Sequence, residues 1–428
     1  MLAARPSRAI PEQTSLRGKV VNVIKSRRVE GLEFIRLSLR TSCSRSFATL
    51  FFASLLIFSS GCKVTADITD PTATPTPTPR AVTQFVVAVD QNASQNSIKT
   101  FNVGSSGALT LAQTYNTSAL GNYAAGHPTL NYVYVLSAGG NAISSFAIAS
   151  DGTLTELSSS PINLGNYHEH FVLEPKGRFL FSTQTYSGNI DVLSVNQSTG
   201  ALTFVSSAAN CGADCVGNMQ ATDTNGKFLY VAAQGQAAST NGIYSYAINQ
   251  STGTLTALSG SPYLFTSGGN GPYGLTVSGD GKFLVSGNTG YTNMASGLIS
   301  GFSSFSINSS TGQITYIGSI SIPAGASTVI PFQMTTDAAG HIYAADSRSG
   351  NLLSVSLSNT GVPTSTSVIG SSSFGVAVDL SGKYIYGSTA SSSTISQSKF
   401  TTAPAATALS PATVSVTTPV GLGIATYR

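Results

Sequence analysis

The sequence contains no tryptophan, only four histidines and four cysteines, and few charged residues of either sign. Charged side chains make up 9% of the 428 residues, against about 25% in an average globular domain. This scarcity excludes a charged disordered chain, a coiled coil and a strongly basic nucleic-acid-binding protein, because each of them needs many charges. Folds that depend on a buried tryptophan are excluded as well.

The basic residues are concentrated at the N-terminus. Residues 1–61 hold 10 of the 21 Lys and Arg but only 3 of the 17 Asp and Glu. The remainder of the chain therefore has a small acidic excess and cannot neutralise a phosphate backbone. We expect no nucleic-acid partner.

An apolar run, FATLFFASLLIFSSG at 47–61, follows the basic segment. It has 15 residues, fewer than the roughly 20 that span a bilayer, and a basic segment before a short apolar one is typical of an export signal. Ser59, Ser60 and Gly61 then precede Cys62, which resembles the lipobox of bacterial lipoproteins, where the cysteine is lipidated. A simple secretory signal and an uncleaved anchor are the alternatives. We predict an exported protein of the bacterial cell envelope, attached to the membrane only by a lipid at Cys62.

A segment of alternating Thr and Pro, TDPTATPTPTPR at 69–80, comes next. Such a segment forms neither a helix nor a central strand and stays extended. It predicts a stalk between an anchor and a folded body. The expected organisation is a leader at 1–61, a Thr/Pro-rich stalk at 62–81 and one folded domain at 82–428.

The body repeats two motifs in alternation. The first, seen as FAIASDGTLT, YAINQSTGTLT and FSINSSTGQIT, is an apolar strand, a turn ending in Gly and a short Leu-Thr strand. The second, seen as HFVLEPKGRFLFS, MQATDTNGKFLYVAA and GLTVSGDGKFLVSG, has two strands around another tight turn. Asn, Ser and Gly suit short hairpin turns, since Gly adopts positive φ at no steric cost. Each period of 45 to 59 residues thus holds four strands, which we call a, b, c and d.

Four antiparallel strands per period, repeated along a chain, predict an all-β propeller, and the count gives seven blades. The first blade lacks a strand a. The last residues, PVGLGIATYR at 419–428, match a strand a such as PYGLTVSGD. We predict that this C-terminal strand joins blade one, closes the ring and removes its open edges.

The strand a/b pattern with D/S-G-K-F and the S-T-G-x-L-T turns resemble the seven-bladed lactonase family, which includes the propeller 6-phosphogluconolactonases. The resemblance covers about 82–428. WD repeats are excluded because tryptophan is absent. In the family an H-x-H-like element opens an inner strand and lines the active site. The resemblance therefore implies catalytic roles for His168 and His170, with Glu169 between them.

Other expected site residues lie where inner strands begin or in the loops beside them, since propeller ligands sit at one mouth of the channel. The candidate ligand-binding residues are Tyr123, Tyr273, Gln333 and Arg348. The family carries Gly-Pro-Arg-His on a later inner strand, whereas this chain has Gly271, Pro272, Tyr273 and Gly274. The arginine that would stabilise an oxyanion or a phosphate is missing.

A metal site would need three or four ligands, and the His168–His170 pair has too few neighbours of the right type. We expect neither a metal nor a cofactor. Cys211 and Cys215 lie in NCGADC between two blades. In an oxidising compartment they predict a structural disulfide, with a redox-active pair as the alternative.

Two functions follow from these features. The first is a binding or scaffold propeller with degenerate catalytic residues, whose mouth takes a glycan or a protein. The second is a lactone hydrolase, resembling 6-phosphogluconolactonase, that acts on a sugar lactone. Fold alone does not decide between them.

Overall fold

The computed structural model describes residues 21–22, 37–41, 64–68 and 82–428, the last range with gaps at 92–95, 118–119, 139–140, 213–214, 236–239, 266–270, 290–300, 323–330, 338 and 403. The chain divides into two compact units, Met1–Arg80 and Ala81–Arg428. Cys62 and the predicted cleavage site lie outside the described residues.

Within the first unit, the described residues form an antiparallel three-stranded sheet of β1 (Val21–Asn22), β2 (Leu37–Thr41) and β3 (Val64–Ile68). Among all described residues, no helix combines the length and the apolar character that crossing a bilayer requires.

The second unit consists of seven antiparallel sheets, and the predicted seven-bladed propeller is confirmed. Blade one pairs β33 (Pro419–Tyr427), β4 (Thr83–Asp90), β5 (Asn96–Val103) and β6 (Leu109–Thr117). Blade two contains β7 (Leu120–Gly126), β8 (Tyr132–Ala138), β9 (Ala142–Ile148), β10 (Leu154–Glu156) and β11 (Ile162–Asn163). Blade three contains β12 (His168–Leu173), β13 (Phe179–Gln184), β14 (Ile190–Val195) and β15 (Leu202–Ala208).

The remaining four blades follow the same order. Blade four contains β16 (Cys215–Thr222), β17 (Phe228–Gly235), β18 (Gly242–Ile248), β19 (Leu255–Ala257) and β20 (Tyr263–Leu264). Blade five contains β21 (Pro272–Val277), β22 (Phe283–Asn288), β23 (Gly301–Ile307) and β24 (Ile314–Ser321). Blade six contains β25 (Pro331–Thr336), β26 (Ile342–Asp346), β27 (Asn351–Leu357) and β28 (Pro363–Ser371). Blade seven contains β29 (Val376–Val378), β30 (Tyr384–Thr389), the 3-10 turn η1 (Ala390–Ser392), β31 (Thr394–Thr402) and β32 (Ala405–Ser415).

The C-terminal strand closes the ring as predicted. β33 pairs with β4 over its whole length, from Pro419 opposite Asp90 to Tyr427 opposite Thr83. Asp90 adds hydrogen bonds from the backbone N–H groups of Thr417 and Thr418. Blade one is therefore built from both ends of the propeller unit.

The described residues of the hydrophobic core form seven clusters, one between each pair of neighbouring blades. In β4, Phe85 and Val87 pack towards blade two, whereas Val86 and Ala88 pack towards blade seven. Strand b is thus buried on both faces, which explains why it reads as a continuous apolar run rather than as an alternation.

We call the end of the channel where the inner strands a begin the upper rim; the b–c turns lie at the same end. The end with the a–b turns is the lower rim.

Candidate functional site

Six of the seven inner strands have a β-bulge at the upper rim, and it decides which side chains meet there. The register shifts between Gly121 and Tyr123, His168 and Phe171, Gly217 and Gln220, Pro272 and Gly274, Pro331 and Gln333, and Pro419 and Gly421. A bulge places two residues opposite one and breaks the strict alternation of faces. The residues at these bulges contact one another from blade to blade.

Strict alternation along a strand predicts that His168 and His170 share one face, and this prediction is wrong because of the bulge in β12. His168 pairs with Gln184, whereas Phe171 pairs with Ser182, so Glu169 and His170 together oppose Thr183. The three consecutive polar residues of this strand consequently have three different surroundings.

His168 is fully buried inside blade three. Its Nδ1 lies 2.8 Å from Oγ of Ser182, and its Nε2 lies 3.3 Å from Oδ2 of Asp191, too poorly aligned for a regular hydrogen bond. Asp191 also accepts a hydrogen bond from Gln184. Burial raises the pKa of Asp191, but the contacts with His168, Gln184 and Ser207 outweigh it and lower that pKa. His168 therefore belongs to a closed polar cluster that no ligand reaches in this conformation.

His170 lies beneath the upper rim, between blades two and four. Its ring packs on Tyr123, with centroids 4.1 Å apart, and its Nδ1 lies 3.0 Å from Oε1 of Gln220. The amide of Gln220 is oriented by its other end, since Nε2 donates to the carbonyl oxygen of Asn218. Oε1 can only accept, so Nδ1 carries the proton and Nε2 is left as an acceptor. Burial lowers the pKa of His170 to about 4, although the bond to Gln220 opposes the shift.

Glu169 crosses the upper rim to blade five. Its Oε2 accepts a hydrogen bond of 2.8 Å from the hydroxyl of Tyr273. Burial raises the pKa of Glu169, and the bond from Tyr273 offsets part of that rise. Burial and the neighbouring carboxylate together raise the pKa of Tyr273 well above its usual range. The pair is a neutral hydroxyl next to a carboxyl group that holds its proton more tightly than an exposed one.

Aromatic rings extend from this pair around the rim. Tyr273 lies 5.5 Å from Phe332, and Phe332 lies 5.4 Å from Phe374, measured between ring centroids. On the other side, Asn122 donates to the hydroxyl of Tyr167, whose ring stacks on Tyr186 at 5.6 Å. Tyr186 is 72% exposed. We call these residues, with Glu169, the aromatic rim.

The structure distributes the predicted site residues over different places. Tyr273 is in the aromatic rim, whereas Tyr123 lies below it against His170. Gln333 is buried and bridges inner strands, because it donates to the carbonyl oxygen of Leu422 and accepts from the N–H of Val376. Arg348 is exposed on the β26–β27 turn, where its backbone N–H donates to Asp346.

Sequence reasoning missed Phe332, Phe374 and the partnership of Glu169 with Tyr273. The sequence does contain a signal for Tyr273 and Phe332, because each directly follows a proline. Pro272, Pro331 and Pro419 each stand one residue before a bulge. A recurrent proline at the start of an inner strand marks where the alternation of faces breaks.

The other candidate chemistry is limited. Cys211 is disulfide-bonded, and its pairing with Cys215 stays a prediction because the side chain of Cys215 lies outside the described residues. In the part of the chain that the structure describes, no three His, Cys, Asp or Glu side chains are grouped as a metal site would require.

The fold is a seven-bladed β-propeller, and the described part of its upper rim carries aromatic rings around one carboxyl–hydroxyl pair. The family model described as "Lactonase, 7-bladed beta-propeller" matches residues 95–216, from blade one to the start of blade four. The resemblance to this family that the motifs indicated is thereby confirmed.

Solved structures share the whole fold at low identity. A proposed 6-phosphogluconolactonase from Bacteroides uniformis is 16% identical with a TM-score of 0.65, and the match covers 80% of this chain and 99% of that one. A similar protein from Bacteroides fragilis is 18% identical with a TM-score of 0.64, covering 83% and 99%. The periplasmic gluconolactonase of Pseudomonas aeruginosa is 17% identical with a TM-score of 0.64, covering 81% and 99%. At these identities the likeness shows the fold alone. A comparison with curated proteins found no match.

Proposed function

We propose that this propeller binds an uncharged, carbohydrate-like ligand at its aromatic rim, as a binding or scaffold protein of the cell envelope. The observation that carries the proposal is the composition of the rim. Aromatic faces flank one carboxyl–hydroxyl pair, and no described Lys or Arg side chain contacts that pair. A neutral sugar offers apolar C–H faces to aromatic rings and hydroxyls to a carboxyl group, whereas a phosphorylated ligand needs cationic donors.

The histidines support a binding role rather than a catalytic one. His168 is sealed within blade three, and both ring nitrogens face side chains of that blade. Nδ1 of His170 is occupied by Gln220. Neither histidine lies within hydrogen-bond distance of Glu169 or Tyr273, so the described residues of the rim hold no assembled acid–base pair of histidine and carboxylate.

The test is a titration of the chain with neutral oligosaccharides such as cellotriose, maltotriose and chitotriose, with gluconate and 6-phosphogluconate as anionic controls. Binding is measured by isothermal titration calorimetry, because the intrinsic fluorescence of a chain with 17 tyrosines and no tryptophan does not report on the rim alone. Tyr186→Ala should weaken binding about tenfold through lost stacking, and Tyr273→Phe about fivefold through a lost hydrogen bond.

Phe204→Ala is the matched control, because Phe204 is 50% exposed but lies on the outer strand β15, away from the rim. Its affinity should equal that of the parent protein. If no neutral oligosaccharide binds at millimolar concentration, or if the Phe204 variant loses as much affinity as the Tyr186 variant, the proposal is wrong.

A second candidate, a hydrolase of uncharged sugar lactones, is favoured by one observation. The raised pKa of Glu169 suits a group that takes a proton from attacking water and returns it to the leaving ring oxygen. The measurement is hydrolysis of gluconolactone, 6-phosphogluconolactone and simple γ-lactones by the parent chain and by Glu169→Gln. Turnover that Glu169→Gln abolishes, with its melting temperature unchanged, would replace the binding proposal with this one.

The cellular location is part of the proposal. We infer export through the leader at 1–61 and anchoring by a lipid at Cys62, from the basic and apolar segments before it. In a bacterial host, radiolabelled palmitate should enter the parent chain but not Cys62→Ser, which should appear in the soluble envelope fraction. Labelling of both proteins would refute anchoring at this cysteine.

A further inference from the structure

A cavity of about 260 Å³ lies in the central channel below the aromatic rim. Its wall is formed by the inner strands of blades two to six, and it reaches the a–b turns at the lower rim, where Pro175, Thr224 and Gly279 line it. Glu169, Tyr273 and the aromatic rings of the upper rim are not part of its lining. The cavity is therefore a separate place from the site proposed above.

Part of the lining of this cavity is apolar. It includes Val172, Met219, Leu275, Val277 and Met334. An apolar cavity of about 150 Å³ is large enough to hold benzene. The channel cavity is open to solvent on one side and has room for a six-membered ring with a short substituent, next to side chains that offer dispersion contacts.

The end of the cavity nearer the upper rim offers one defined polar contact. His170 and Tyr123 line it there. Nδ1 of His170 donates to Gln220, so the nitrogen that remains is Nε2, a neutral acceptor. A ligand that matches this end must bring a hydrogen-bond donor, since an acceptor would face a lone pair.

The end of the cavity nearer the lower rim adds hydroxyl groups, and its one carboxylate already has hydrogen-bond partners. Thr222, Thr276 and Ser278 line it, together with Asp223. The carboxylate of Asp223 already accepts hydrogen bonds from the backbone N–H groups of Asn225, Lys227 and Phe228. The backbone N–H groups of this a–b turn thus compensate the charge of Asp223, and no bound cation is needed there.

We propose that the channel cavity is a second ligand site, which takes a small neutral alcohol with a ring-sized apolar body whose hydroxyl donates to Nε2 of His170. The apolar body lies against the two methionines and the aliphatic side chains of blades four to six. The ligand enters from the lower rim, on the opposite side from the aromatic rim.

Benzyl alcohol and toluene are the probes, because they share the ring and differ in the hydroxyl. The chain has four methionines, and two of them, Met219 and Met334, line the cavity. In the full chain labelled with ¹³C-methyl methionine, benzyl alcohol should shift these two signals in a saturable manner. Toluene should bind about tenfold more weakly, which is the loss expected for one hydrogen bond to a buried acceptor.

The signals are assigned with Met219→Leu and Met334→Leu, which conserve volume and should keep the fold. Val277→Phe fills the cavity and should abolish the shifts, whereas Thr335→Val, on β25 next to Met334 but outside the lining, should not. The titration of the parent chain is informative even if Val277→Phe fails to fold. Absence of a saturable shift of Met219 and Met334, or equal affinity for toluene and benzyl alcohol, would overturn the proposal.

Discussion

His168, Glu169 and His170 show how one extra residue in a strand changes the role of its neighbours. The sequence correctly indicates a polar group at the start of an inner strand, because three polar residues precede an apolar run. It could not indicate which of them faces a ligand, since period-2 alternation assigns faces only while the ladder is regular. The bulge sends His168 into the blade, Glu169 across the rim and His170 into the channel.

The buried neutral state of His170 predicts a specific pH dependence of stability. Its imidazole takes up a proton below about pH 6.5 in the unfolded chain but only near pH 4 in the folded one. The unfolded state therefore gains protons first, and the free energy of unfolding falls as the pH is lowered through this window. Between pH 7 and pH 4.5 the loss from this residue should be about 2 to 3 kcal/mol.

The measurement is urea unfolding of the parent protein and of His170→Gln at both pH values. Asp90 and Asp191, whose pKa values are lowered in the fold, also cost stability in acid, but they do so equally in both proteins. The variant should lose less stability on acidification than the parent. Equal losses would mean that His170 is not held neutral.

The glycines in the turns between strands c and d have a second role, in the packing of neighbouring blades. The sequence predicts them as hairpin residues with positive φ, and Gly253 at φ 79° is one of them. In addition, each of these glycines packs closely against the first aromatic ring of strand b in the preceding blade. The pairs are Phe85 with Gly152, Tyr132 with Gly200, Phe179 with Gly253, Phe228 with Gly312, Phe283 with Gly361, and Tyr384 with Gly107. In the part of the chain that the structure describes, six of the seven interfaces between blades use this contact, which holds neighbouring blades together without tryptophan.

Gly253→Ala tests this contact, because a Cβ at this position would overlap the ring of Phe179. Gly260→Ala is the matched control in the same blade, since its φ is 82° but nothing lies within 4 Å of its added Cβ. Both variants pay about 1 to 2 kcal/mol for the left-handed backbone. Gly253→Ala should lose about 1 to 3 kcal/mol more for the overlap in a packed interface. Equal losses in urea unfolding would show that the ring contact contributes nothing.

The order of strands and turns was predictable because its signals lie in short stretches of sequence. The interruptions of the outer strands were not predictable. In blades two and four the outer strand is divided into two short pieces, β10 with β11 and β19 with β20. Pro161 and Pro262 stand between the pieces and have no N–H to donate to the ladder. The sequence shows the prolines, but only the partner strands show that pairing resumes after them.

For the whole molecule, ring closure by β33 makes stability depend on both ends of the unit. Removing residues 419–428 takes Leu422 and Ala425 out of the core, leaves β4 without its inner neighbour and exposes Val87 and Ala88, which are fully buried. The truncated chain should lose its cooperative thermal transition rather than melt locally. A transition at the temperature of the parent protein would contradict the structural role of β33.

A circular permutant provides the control for this deletion. Tyr427 pairs with Thr83, so a short turn can join β33 to β4 in the way that a–b turns join these strands in the other blades. With new termini placed after Ser415, between β32 and β33, every strand keeps its neighbours. This protein should melt cooperatively near the parent temperature.

The shared blade also sets an order of folding along the chain. β4 precedes blades two to seven in the sequence, yet one of its edges has no partner until β33 follows them. Six blades can therefore form before blade one is complete. Closure of the ring is then a single late step that depends on β33.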